Sequence, residues 1–263
     1  MKSFIEVFQA ELIKTKNSFA LWLVILGAAF IPFFFFLNHV YEWRDYIPKA
    51  GENPWFDYFR KGFNGVHFTF LPLLIVLLIS LLFNIEHKSN TWKHIFVLPV
   101  SKTKIFLGKY LLLFGLITLF YFLLLIFLLL GGIVLSLWKH EFNYLDYRPS
   151  YFYASVHSGI PGFVLKSFIA SLAIVAIHFW LSFRFKNMFA TIGIGLAGVV
   201  IAVSMYIPHW PSIIYVPYAF PVLMCNFIPD AHHLLSNFQV NSLLFFTGIF
   251  LFSYLDFTKW YRG

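Results

Sequence analysis

The side chains of this sequence best suited to chemistry are its ten histidines, because imidazole nitrogens hold iron and zinc, and a metal so held activates water or oxygen. A metal site needs those histidines at short, repeated spacing. His39, His67, His140, His157 and His209 are scattered instead, His232 and His233 form an adjacent pair, and six residues separate His87 from His94. Neither HExxH nor a repeated HxxxH occurs, so the pattern predicts no metal ligands and the histidines read as packed or interfacial. The string Gly193-Ile194-Gly195-Leu196-Ala197-Gly198 matches the dinucleotide-binding GxGxxG, but it sits inside an apolar run with no strand before it and no acid at a suitable distance after it. Gly193, Ala197 and Gly198 are better read as small faces for close helix packing, a second subunit included. Gly108-Lys109 ends like a phosphate loop, yet Thr103 stands where its first glycine belongs and Tyr110 where the magnesium hydroxyl belongs. No GxSxG occurs, no two acids share a span, and Cys225 is the lone cysteine. Catalysis finds no residues here; any ATP and magnesium would have to be bound by another chain.

The elements that position these residues belong to a bilayer. Of 263 residues 60% are hydrophobic, 11% are charged and 36 are phenylalanine, a composition that leaves a water-soluble domain too little charge for its surface. About 20 apolar residues cross the hydrocarbon, and six runs qualify: 19–40, 66–85, 110–137, 163–183, 189–207 and 240–257. The expected fold is an all-α integral membrane protein, a single six-span domain over 1–263. The first run is too long for a signal-peptide core, and Asn38-His39-Val40-Tyr41 offers no small-residue cleavage site, so it reads as a retained anchor.

Lysine and arginine set the orientation. With the N-terminus in the cytoplasm, Lys2, Lys14, Lys16, Lys88, Lys93, Lys102, Lys104, Lys109, Arg184, Lys186, Lys259 and Arg262 fall inside. Arg44, Lys49, Arg60, Lys61, Lys139, Arg148 and Lys166 fall outside, where the acids are more numerous. An even number of spans then places both termini in the cytoplasm. The net charge of +8 reflects this topology and not an affinity for nucleic acid.

Residues 1–18 carry Phe4, Ile5, Phe8 and Leu12 on one helical face with Glu6 and Lys14 opposite, which suits an amphipathic helix along the cytoplasmic interface or a plain lead-in to the first span. The connection 41–65 places Trp43 and Trp55 at the outer interface. Residues 86–109 form a basic elbow between spans two and three, with Pro99 as a break and Ser101 as a cap for the next helix. The run 110–137 is long for one crossing and predicts tilt or an extension beyond the bilayer. Residues 184–188 force spans four and five to be antiparallel neighbours. The connection 208–239 holds prolines at 208, 211, 217, 221 and 229 in apolar sequence, which predicts an outer re-entrant segment before the last span. Glu86, Lys166, Arg184 and Asp256 stand at span ends, within reach of the interface, with Lys259 spaced to pair with Asp256.

Glu86, then Thr91-Trp92-Lys93, then Leu98-Pro99-Val100-Ser101-Lys102, then Gly108-Lys109 resembles the type-2 membrane permeases of ABC exporters, as do AELIKTKNSFALW at 10–22 and the proline-rich connection. In particular it resembles the six-span permeases of lantibiotic and other antimicrobial-peptide immunity transporters. It implies a half-transporter in a bacterial cytoplasmic membrane, paired with a second permease half, identical or related, and with two ABC ATPase subunits. It maps a coupling helix onto 86–97 and makes Glu86, His87, Thr91, Trp92, Lys93 and His94 the candidates for ATPase docking. It also makes the N-terminal segment an interfacial connecting helix. The expected function is a permease subunit that moves an amphipathic or hydrophobic substrate, an antimicrobial peptide or a lipid-like molecule, with ATP hydrolysed by a separate chain. The residues leave two alternatives open: a membrane-embedded metal-dependent enzyme and an ATPase-independent membrane scaffold.

Overall fold

A segment that is apolar on every side, and must leave water with its amides satisfied, has the helix as its simplest solution. The computed structural model describes residues 4–16, 18–49, 51–88, 100–147, 160–225 and 235–260, and over these the regular structure is helical throughout. An N-terminal helix α1 (Phe4–Lys16) leads into α2 (Phe19–Tyr41). Then come α3 (Pro54–Gly65), α4 (Leu71–Lys88), α5 (Lys102–Trp138), α6 (Ile160–Arg184), α7 (Met188–Tyr206) and α8 (Asn237–Leu255). Six helical stretches are long and apolar enough to cross a membrane. The protein is therefore an all-helical, multi-pass membrane protein.

Polar caps start the helices. Ser101 accepts from the Lys104 amide and Asn187 from the Phe189 amide. At α8, Ser236 and Gln239 satisfy each other's backbone in a capping box. At 37 residues α5 is ~55 Å long at 1.5 Å per residue, well beyond the ~30 Å of hydrocarbon. A helix of this length either tilts in the bilayer or extends past it, the two alternatives its sequence offers.

The second span differs from its sequence reading. It begins at Pro54, where Asn53 caps the Trp55 amide and proline occupies the first turn, and runs through a π turn at Val66–Phe70 to Lys88. Trp55, Tyr58, Phe59, Gly62 and Phe63 form the buried face of α3. Trp55 is 2% exposed, and its indole Nε1 donates to the carbonyls of Tyr144 at 2.9 Å and Tyr147 at 3.1 Å. It ties α3 to the segment after α5 and is enclosed by protein.

The core is formed by α2 against α5, α4 against α6 and α7, and α6 against α8. At its centre the rings of Tyr110 and Phe179 stack with centroids 3.9 Å apart, and Phe106 and Phe250 close round them. Between α7 and α8 the described residues of the proline-rich segment make three short 3-10 turns, Pro211–Tyr215, Pro217–Ala219 and Val222–Met224. The Tyr218 hydroxyl reaches the Nε2 of His178 at 2.9 Å, and its ring covers Gly198.

Candidate functional site

The elbow leaves α4 at Glu86 and re-enters at Lys109, two turns into α5, and both residues turn inward. Lys109 Nζ lies 2.5 Å from Glu86 Oε1 and 2.9 Å from Glu11 Oε2. Lys14 Nζ lies 2.9 Å from Glu11 Oε1 and 3.1 Å from Glu86 Oε1. Two lysines and two carboxylates thus close a neutral four-member ring that joins α1, α4 and α5. Glu86 is 2% exposed, Glu11 6% and Lys109 7%, while Lys14 faces partly outward. Isolated charges in such a place would each cost several kcal/mol of desolvation, and mutual pairing offsets that cost only while the set is complete.

The ring explains how α1 sits. Its buried residues are Val7, Glu11 and Thr15, four apart, and Thr15 Oγ1 donates to the Glu11 carbonyl. Ile5 and Ile13, 64% and 67% exposed, point away from the bundle. In a membrane setting lipid takes the apolar side, so the polar stripe is the one that meets protein. Burial pushes the Glu11 carboxyl upward, but the ammonium groups of Lys109 and Lys14 outweigh it and hold Glu11 below the ordinary carboxylate range.

Further polar contacts fasten the same end of the bundle. His87 Nε2 meets the Ser182 carbonyl at 2.8 Å, linking α4 to α6. Thr103 and Tyr254 pair through their hydroxyls at 3.1 Å, linking α5 to α8. Asp256, in a π turn after α8, accepts from Trp180 Nε1 at 3.0 Å and pairs with Arg184 at 3.6 Å. Asp256 therefore pairs across helices with Arg184, in place of the local Lys259 that spacing suggests. Glu86, Lys166 and Asp256 are each no more than 3% exposed, so they are held within protein and do not reach for the interface.

Of the predicted docking residues, Glu86 and His87 are brought together at the elbow's root, both engaged by the bundle. Thr91, Trp92, Lys93 and His94 lie outside the described residues. Of the small residues, Gly198 lies against the Tyr218 ring and not against another spanning helix: a Cβ there would come within 2.6 Å of that ring. Gly193 and Ala197 face outward, and nothing lies within 4 Å of a Cβ built on Gly193. Gly195, between them, admits Val76 and His178 and gives the close approach of α7 to α4. Among the described residues no three His, Cys, Asp or Glu side chains gather in a group able to hold a metal ion.

Sequence reasoning missed Glu11. Its signal was an acid flanked at i−4 and i+4 by Val7 and Thr15, the smallest stripe of a helix otherwise rich in large apolar residues.

A family model described as ABC-2 family transporter protein matches residues 7–203, which take in most of α1, the ring, the elbow and the helices through most of α7. The chain belongs to this family. It is a membrane-spanning permease subunit of an ABC transporter, a transport component. Searches of curated proteins and of solved structures return no match. The match places the permease's charged ring within the family region and, with it, both ends of the elbow.

Proposed function

We propose that this permease is half of an ABC exporter in a bacterial cytoplasmic membrane, that it pairs with a second permease half, and that the pair works with two ATPase subunits, the elbow docking in a cleft of an ATPase. Its cargo is an amphipathic or hydrophobic molecule, an antimicrobial peptide or a lipid-like compound, in keeping with the aromatic and apolar walls of its helices. The observation that carries this reading is the ion-paired ring at the elbow's root. A displacement of the elbow enters through α4 and α5, and Glu86 and Lys109 deliver it at the same time to α1 through Glu11. Closure of the ATPases on ATP would bias this assembly between two arrangements, as expected where a ligand bound at one site selects between states elsewhere. In this scheme Glu86 and His87 orient the elbow from inside, and Thr91, Trp92, Lys93 and His94 present its docking surface.

The test is co-expression with the ATPase encoded beside this chain. Copurification of the two, lost on changing Trp92 and Lys93 together to alanine while the permease still elutes as a folded species, is the expected result. Failure of the wild-type chain to retain the ATPase rejects the reading.

A further inference from the structure

We propose that the groove between α1, α2 and α5 is a binding site for one anionic phospholipid, with an acyl chain along the groove and the phosphate at Lys16. The groove has a volume of about 400 Å³. Phe8 and Leu12 of α1 form one wall, Leu21 of α2 closes the end, and Leu112, Gly115 and Leu119 of α5 form the floor. Thr15 and Lys16 are the polar residues of its lining, at the last turn of α1 just before the chain bends into α2.

Size and charge select the occupant. One turn of a partner helix, roughly 10–12 Å across and 5.4 Å tall, takes on the order of 400–600 Å³. The groove would be filled by a single such turn, with no length left to hold a helix, whereas a flexible acyl chain lies along it. Charge then chooses among lipids. Lys14 is committed to Glu11 and Glu86. Lys16 is exposed and makes no ion pair among the described residues, so its ammonium is positioned for a phosphate at the groove's mouth. Basic residues beside a membrane surface favour anionic headgroups. The exposed Phe19 and Trp22 flank the same bend, where amphipathic rings mark the level of headgroups. A lipid seated here touches α1 and α5, the two helices that meet through Glu11 and Lys109.

Gly115 allows a direct test, because nothing lies within 4 Å of a Cβ built on it. Gly115→Phe directs a ring into the groove from a Cβ with no protein atom within 4 Å, and Leu119→Trp is a second plug. Delipidated permease is titrated with phosphatidylglycerol or phosphatidylcholine and bound lipid is read by native mass spectrometry. Wild type is expected to hold one phosphatidylglycerol several-fold more tightly than phosphatidylcholine. Lys16→Glu should remove that preference, Lys16→Arg should keep it, and both plugs should abolish the tight site at unchanged melting temperature. Equal retention of the two lipids by wild type, or full phosphatidylglycerol binding by both plugged variants, overturns the proposal. So does conversion of a dimer to monomer by the plugs without loss of lipid, which would assign the groove to a second copy. None of these readouts depends on transport or on an ATPase, so they stand apart from the test of the coupling scheme.

Discussion

Lys109 and Glu86, 23 residues apart in sequence, meet at 2.5 Å between Nζ and Oε1 and close the base of the elbow that separates them. The pair holds the end of α4 and the second turn of α5 at a fixed separation. Glu11, from a helix 98 residues away from Lys109, shares the same ammonium at 2.9 Å. The elbow's root is thus defined by three helices and not by its own sequence.

Lys109→Met leaves Glu11 and Glu86 buried with Lys14 as their remaining ring partner. A loss of about 3–5 kcal/mol is expected, the usual result of removing one partner from a buried ion pair. Lys109→Met combined with Glu86→Leu should lose less than the sum of the single changes. Unfolding of the four proteins in detergent measures the coupling. Strict additivity would show that the ring does not act as a unit.

The pH dependence follows from Glu11. Its carboxyl is held below its ordinary value of 4.5, so the stability it contributes is fully present above that value and is lost as pH falls through the lower, folded-state one. Wild type should therefore be flat near neutrality and weaken in acid. Glu11→Gln should start less stable at neutral pH and show a shallower acid limb, as read from thermal unfolding in buffers from neutral to acid. Parallel profiles for the two proteins would contradict the assignment.

Gly198→Leu and Gly193→Leu separate packing inside the chain from the outward face. Gly198 lies under the Tyr218 ring, so a side chain there should cost about 1–3 kcal/mol through overpacking. Gly193 faces open space, and its leucine variant should melt with wild type. Equal effects at the two sites would disagree with this geometry.

Trp55→Phe keeps an aromatic ring and removes the indole donor shared by the Tyr144 and Tyr147 carbonyls. A cost of about 1–3 kcal/mol is expected for stranding buried acceptors. Trp43→Phe, at a half-buried ring, should cost less. Differential scanning fluorimetry of both variants gives the comparison.

The six spans were legible in sequence because lipid asks only for length and apolarity, and runs such as 110–137 supply both. Ser101 was readable as a helix start for an equally local reason, a polar cap before an apolar run. The helix α3 was hidden because charges and glycines in 41–65 resemble a loop, although Trp55, Tyr58, Phe59, Gly62 and Phe63 already repeat with helical period behind the Asn53-Pro54 start. At the candidate site, Glu86 and Lys109 were marked by their positions at the ends of apolar runs. That they touch was not legible, because a pairing across 23 or 98 residues is a property of the packed bundle. Glu11 was obscured by the habit of giving the polar side of an amphipathic helix to water. Asp256 had Lys259 nearby in sequence and chose Arg184 in space, since the π turn redirects its carboxylate towards α6.

The ring at the elbow's root also limits how that region can move. Each ammonium in it serves two carboxylates, and each carboxylate serves two ammonium groups. Pulling any one member part-way strands buried partners among Glu11, Glu86 and Lys109, so small excursions are resisted while complete opening, with water admitted to those three groups, is a distinct alternative. A spring would yield in proportion to the force on it. A ring of this kind behaves as a catch, either shut or released, and a machine with a catch at this position advances in steps.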